Sequence, residues 1–287
     1  MTTPKMEHTD GFRNLALALL LISPVLIFAF AQALPPAGDF LDAFWPAAHT
    51  PLAPYQHPAF LNPPWVALML YPLSFLSERY AQAVVAFLNL AVTLLLVTRY
   101  GGRRLSFLLA MTSPAFLSLL VNGNIGWLPM AAFLLPANWG LFLLLAKPQD
   151  GLMAGLVWFK RAQNKAAYLL PSLGLIAASF MIWGWWVPHL FQQGQSAGGR
   201  AVGPWNISPF PWLIPLGLVL IYLAWKLENE LLAVAATLCL VPYFAFYSLN
   251  TLFTLMAGRH PRLAILGWVL LWGAFLGLQW VGLTYYH

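Results

Sequence analysis

The apolar runs of this chain are repeatedly broken. Polar motifs bearing Pro or Gly interrupt them at Asp39-Phe-Leu-Asp42, Asn62-Pro-Pro-Trp65, Asn122-Gly-Asn124, Lys147-Pro-Gln-Asp150 and Pro242-Tyr243 through Asn250. A bilayer core tolerates irregular backbone only where it lines a cavity or is buried in protein. Breaks gathered at one membrane face would therefore build one site. Composition supplies the membrane: the sequence is 61% hydrophobic and 8% charged, whereas a soluble domain carries about a quarter charged residues.

Crossing a bilayer takes about 20 apolar residues. Leu15–Ala33, Ala81–Thr98, Ala166–Pro188 and Leu263–Tyr285 qualify, and Leu105–Val121 and Trp212–Trp225 do so with their flanks. Pro64–Leu76, Ile125–Leu135, Leu141–Ala146, Leu152–Phe159, Leu231–Val241 and Leu252–Ala257 are too short alone. They read as half-spans, re-entrant pieces or kinked helices. Together these runs predict an all-α, polytopic membrane domain over residues 1–287, with about 8–11 transmembrane or half-membrane helices. Ala31-Gln-Ala33 would also suit signal-peptide cleavage, but the preceding run is long for a signal core.

Lys and Arg mark cytoplasmic loops. Threading the runs so as to obey that rule leaves residues 1–14 inside, and puts loops 34–62, with short amphipathic helices, and 189–210 outside. Eleven of the 14 basic residues are then cytoplasmic: Lys5, Arg13, Arg99, Arg103, Arg104, Lys160, Arg161, Lys165, Lys226, Arg259 and Arg262. The +6 net charge is thus a topology signal, and no nucleic-acid partner is expected. The topology turns on residues 125–160. They read as three short crossings, inward to Pro136-Ala-Asn138, outward to Lys147 and inward to Lys160 and Arg161. Two ordinary spans with Lys147 inside the second would invert everything downstream.

Few residues could carry chemistry. Asp39 and Asp42, spaced i, i+3, share a face if locally helical. A carboxylate there can act as general base toward a hydroxyl, or Asp39 can simply cap a helix. Lys147 lies between two apolar pieces. An ionisable group at that depth costs roughly 2.5–3.5 kcal/mol on insertion scales and is a functional candidate by default. It suits a phosphate, or it snorkels and pairs with Asp150. Asn122 and Asn124 can present amides to a ligand or form a plain turn. Tyr243, Tyr247 and Asn250 interrupt a run that should stay apolar, or belong to an interfacial aromatic belt. Arg200, in Gly-Gly-Arg, could meet a phosphate or be solvated. No His/Cys/Asp spacing resembles a metal site, and no nucleotide, nucleophile-elbow or CxxC motif occurs. The single Cys239 excludes an intramolecular disulfide.

Read in order, these motifs resemble the polyprenyl-phosphate-mannose-dependent mannosyltransferases of the GT-C superfamily, glycosyltransferase family 87. The resemblance rests on Asp39-Phe40 … Phe44-Trp45-Pro-Ala47-Ala48, on Asn62-Pro63-Pro64-Trp65 … Tyr71-Pro72-Leu73, and on Asn122-Gly123-Asn124. It continues through Ala146-Lys147-Pro148-Gln149 and ends at Val241-Pro242-Tyr243 … Tyr247-Ser248-Leu249-Asn250. The chain is short for that family, and its last motif lacks the family's acidic residue. The resemblance implies transfer of a hexose, mannose by family, from a polyprenyl-phosphate donor to a lipid or glycan acceptor at the external face of a bacterial or archaeal plasma membrane. Asp39 would be the base for one inverting displacement, with Asp42 as its alternate. Lys147 would neutralise the leaving phosphate. Asn124, Gln149 and Tyr247 would orient sugar or phosphate oxygens, with Asn122, Asn250 and Arg200 nearby. No cofactor is expected, and a divalent metal stays open. A lipid-linked-substrate transporter and a non-catalytic subunit of a larger complex are the rival readings.

Overall fold

The computed structural model describes residues 7–190 and 206–280. Arg200 and most of the 189–210 loop lie outside the described residues. Every regular element described is helical. Among the described residues, four helices are long and apolar enough to cross a membrane, between Asp10 and Ala33, Glu78 and Arg99, Lys165 and Trp183, and Pro261 and Leu278. A fifth candidate is the pair α5 (Arg104–Met111) and α6 (Pro114–Val121), bent by 51°. The bend falls at Pro114, which has no N–H to continue the ladder. Trp65–Phe75, Ala137–Ala146, Ile214–Leu227 and Glu230–Leu240 are shorter apolar helices.

The molecule is arranged around α4 (Glu78–Arg99). Of its most apolar window 61% is buried, against 11% for α1 (Glu7–Ala33), 17% for α10 (Lys165–Trp183) and 6% for the last helix, Pro261–Trp280. The outer helices expose Leu20, Leu21, Val25, Leu170, Met181, Val269 and Leu270, while Asn89, Thr93, Ser118, Lys147, Asp150, Asn250 and Thr254 are buried. In water this distribution would be unfavourable, at roughly 25 cal/mol per Å² of apolar surface left exposed. In lipid it costs nothing.

α1 packs antiparallel on α4. Arg79 at the start of α4 donates to the Ala31 and Gln32 carbonyls at the end of α1. Gln82 then clamps the departing chain: its Nε2 donates to the Pro35 carbonyl at 2.6 Å and its Oε1 accepts from Ala37 N–H at 3.3 Å. These bonds fix where residue 39 enters the fold.

Residues 125–161 run as three short pieces. α7 (Trp127–Ala131) and a 3-10 turn, Ala132–Leu134, descend to Pro136. α8 (Ala137–Ala146) returns to Lys147, and after a second 3-10 turn, Pro148–Asp150, α9 (Ala154–Arg161) descends again. The first turn is tight because Gly140 packs on the Ala132 carbonyl, which a Cβ would approach to 2.6 Å. Pro136 and Ala137 share a cavity wall with Arg99 and Arg161, whereas Lys147 lies against Tyr247 and Ser248. The chain therefore shuttles between an Asp39 end and an Arg161 end.

Past α10 come α11 (Ile214–Leu227), α12 (Glu230–Leu240), α13 (Leu249–Arg259) and α14 (Pro261–Trp280). Between α12 and α13 the backbone is irregular from Val241 to Ala245 and then forms a 3-10 turn, Phe246–Ser248. That turn packs on α6.

Candidate functional site

Asp39 opens a helical stretch that does not keep α register. Residues 40–44 form a π turn and α2 (Trp45–His49) follows. The cause is Pro46. It has no N–H to offer the Asp42 carbonyl four residues back, and its ring crowds that carbonyl. The preceding Trp45 N–H bonds to Phe40 O instead, one residue further back than in an α-helix. The wider π turn sets residues i and i+3 further apart round the axis than an α turn does. Asp39 is half-buried and Asp42 is exposed.

The Asp39 carboxylate meets the 122–124 turn. Asn124 Nδ2 donates to Asp39 Oδ2 at 2.8 Å, and Phe40 N–H donates to the Asn122 carbonyl at 3.3 Å. Gly123 makes this approach possible. Its φ is +60°, and a Cβ there would come within 2.7 Å of Phe40 Cβ and 2.8 Å of Ala37 Cβ. Gly123→Ala is therefore expected to cost about 1–3 kcal/mol through backbone strain and to part Asp39 from Asn124. Thermal unfolding in detergent gives the first number, and loss of any Asp39-dependent activity gives the second. An unchanged midpoint would remove the close-packing account.

Asn124 is anchored from behind. Asn89 Nδ2 donates to its backbone carbonyl at 2.8 Å. Asn89 is fully buried halfway along α4, about 15 Å from either end of that helix. The site is thus recessed rather than superficial. Sequence reasoning missed Asn89. The signal was there, an amide in the middle of the most buried long apolar helix, where polar groups are costly and tend to be functional.

On the other side of Asp39 stands Tyr247, its hydroxyl close enough to the carboxylate to interact with it electrostatically. The Lys147 ammonium lies over the Tyr247 ring, 4.7 Å from its centroid. Beside both, Tyr247 keeps the ammonium and the Asp39 carboxylate within about two helix turns of one another. Lys147 is not a free cation. It pairs with Asp150 at 2.8 Å, both side chains at most 4% exposed, and Ser248 Oγ lies 3.5 Å from Nζ. The break that carries Lys147 is closed by Asn62, whose Nδ2 donates to the Ala146 carbonyl at 3.0 Å.

Asn122 caps its own helix, Nδ2 donating to the Ser118 carbonyl at 2.8 Å. Asn250 faces Met130, with Nδ2 3.2 Å from Sδ, and its Oδ1 is 3.5 Å from the Thr254 hydroxyl. Gln149 is half-buried. The structure therefore brings Asp39, Asn124, Tyr247 and Lys147 together, and the other described candidates lie beside that group rather than in it. Around the group Asn89 Oδ1, Asn124 Oδ1, Asp150 Oδ1 and Trp127 Nε1 are buried without a hydrogen-bond partner. Native interiors rarely leave such atoms unpaired, so together they can receive donors and offer one. Among the described residues no three His, Cys, Asp or Glu side chains group as metal ligands.

No family model, no curated protein and no solved structure matches this chain.

Proposed function

We propose that this chain is a polytopic membrane glycosyltransferase of GT-C type that takes a hexose from a polyprenyl-phosphate donor, with Asp39 as general base. One observation carries the reading. Asp39, Asn124, Lys147 and Tyr247 come from four separate breaks in the apolar pattern and meet at one place. In the proposed reaction an acceptor hydroxyl attacks the anomeric carbon of the donor. Its proton passes to Asp39 as the new C–O bond forms, and the bond to the polyprenyl phosphate breaks on the opposite side. Asn124 and Tyr247 hold the carboxylate in place. The leaving phosphate competes with Asp150 for the Lys147 ammonium, so donor binding opens an ion pair rather than meeting a bare charge. Developing charge on the phosphate is where such stabilisation counts most. The unpartnered oxygens of Asn89, Asn124 and Asp150 are acceptors for sugar hydroxyls. Mannose and the GT-C assignment rest on the resemblance.

The purified protein, incubated with radiolabelled polyprenyl-phosphate sugars and candidate acceptors, tests the reading by transfer of label. The depth of Asn89 favours a second reading, transport of a lipid-linked substrate, because transporters place their sites near the midplane. Movement of labelled lipid between leaflets without any sugar transfer would select it.

In the proposed orientation the Asp39 end faces outside. Asp42 is exposed and the native Cys239 is buried, so Asp42→Cys reports on this end with little background. Labelling by an impermeant maleimide from outside intact cells is expected. Labelling only after the membrane is opened would invert the orientation.

A further inference from the structure

The second concentration of charge lies at the far end of α4 from Gln82 and has no part in the proposed chemistry. There Glu230 is buried and receives Tyr100 Oη at 2.8 Å, Trp158 Nε1 at 3.0 Å, Arg161 at 2.7 Å and Arg259 at 2.6 Å. Glu228 pairs with Lys160 at 3.2 Å and with Arg161 at 3.5 Å. Three cations, Lys160, Arg161 and Arg259, thus face two carboxylates, and Arg99 stands beside them in the lining of one cavity. Arg99 is exposed and has no hydrogen bond or ion pair among the described residues.

Beside this network is a cavity of about 310 Å³. Arg99, Arg161, Tyr100 and Glu230 line it together with Phe133, Pro136 and Trp158. Leu135 also lines it and is 42% exposed. The Glu230 carboxylate is taken up by Tyr100, Trp158, Arg161 and Arg259, which leaves Arg99 as the cation free to meet a ligand beside an apolar lining. The volume is at the small end of the range for ligand sites, about 300–1,000 Å³. A guanidinium suits phosphate because its fork of donors matches the oxygens. Basic pockets between helices at the cytoplasmic side are where anionic headgroups bind, and exposed Arg103 and Arg104 extend the positive rim a few residues along the chain.

We propose that this cavity binds a phosphate ester, the phosphate on Arg99, with Arg161 reached only in competition with the exposed Glu228, and the organic part against Pro136 and Phe133. The ester could come from an anionic phospholipid or a soluble phosphate, and the experiment separates the two. Full-length protein in mixed phosphatidylglycerol and phosphatidylcholine nanodiscs is released into native mass spectrometry, which counts retained lipid. A parallel arm titrates glycerol 3-phosphate into the detergent-solubilised protein. Preferential retention of phosphatidylglycerol, lowered about fivefold in Arg99→Gln and restored in Arg99→Lys, supports a lipid ester. Binding of glycerol 3-phosphate with the same dependence on Arg99 supports a soluble one. Arg104→Gln is the control, since Arg104 is exposed and does not line the cavity. The proposal is overturned if neither ester binds, or if Arg104→Gln weakens binding as much as Arg99→Gln. Because Arg99 is exposed and unpaired, its replacement leaves the fold intact.

Discussion

Glu230→Ala lowers the stability of the whole molecule by about 3 kcal/mol, the lower end of the cost of removing one partner from a buried ion pair. The lower end applies because Arg161 and Arg259 are 40% and 25% exposed and recover some hydration, while the Glu230 side chain itself is only 9% exposed. One carboxylate holds four elements: the end of α4 through Tyr100, α9 through Trp158 and Arg161, α13 through Arg259, and its own α12. Without it, Arg259, a phenol and an indole N–H lose this acceptor at once, and Arg161 keeps only Glu228. Arg259 also lies over the Tyr100 ring, 4.2 Å from the centroid, so the loss propagates into that contact. Thermal unfolding in detergent measures the effect. Glu228→Ala is the control, because Glu228 is exposed and a surface pair of this kind adds little. Equal shifts in the two variants would mean that Glu230 is one surface charge among several rather than a clamp.

The sequence reads unevenly against this structure, for physical reasons. The long helices were legible because hydropathy is a local property. Glu78–Arg99 encloses Ala81–Thr98, Lys165–Trp183 begins one residue before the expected run, and Glu230–Leu240 coincides with Leu231–Val241 to within a residue at each end. Helix α1 starts at Glu7, earlier than the apolar run at Leu15, and carries an exposed Asp10–Arg13 ion pair at 3.3 Å before that run. The breaks were legible too, since Pro, Gly and Asn announce themselves. Which breaks would touch was not legible from spacing. Asp39 and Asn124 lie 85 positions apart, and their contact depends on a positive φ at Gly123 and on the Gln82 clamp. The π turn could have been foreseen from Pro46, four residues after Asp42. Glu230 could not. In the sequence it is one of two carboxylates just after α11, and only the folded chain shows that Arg161 and Arg259 converge on it.

Asp39→Asn is expected to abolish sugar transfer, by at least the roughly 10²–10⁴-fold that a positioned general base contributes, while the protein stays folded. The substitution is close to isosteric, and the retained amide oxygen can still accept from Asn124 Nδ2. The turn at Gly123 therefore keeps its neighbour, and an unchanged thermal midpoint separates lost chemistry from lost structure. Asp42→Asn should leave turnover intact, since Asp42 is exposed and has no hydrogen bond or ion pair among the described residues. Lys147 is a poorer probe than either aspartate. Its removal would strand the buried Asp150 carboxylate, and breaking such a pair costs about 3–5 kcal/mol, so a loss of activity would be confounded with a loss of fold. Asp39 has no such liability, because two neutral side chains flank it and its own surface is only partly buried. If Asp39→Asn transfers sugar at the wild-type rate, the carboxylate is not the base. The Asp39, Asn124 and Tyr247 contacts would then be a structural seam joining α2, the 122–124 turn and the Phe246–Ser248 turn. If neither protein transfers sugar to any acceptor and both move lipid equally, the recess at the level of Asn89 is a passage, with Asp39 one of its walls.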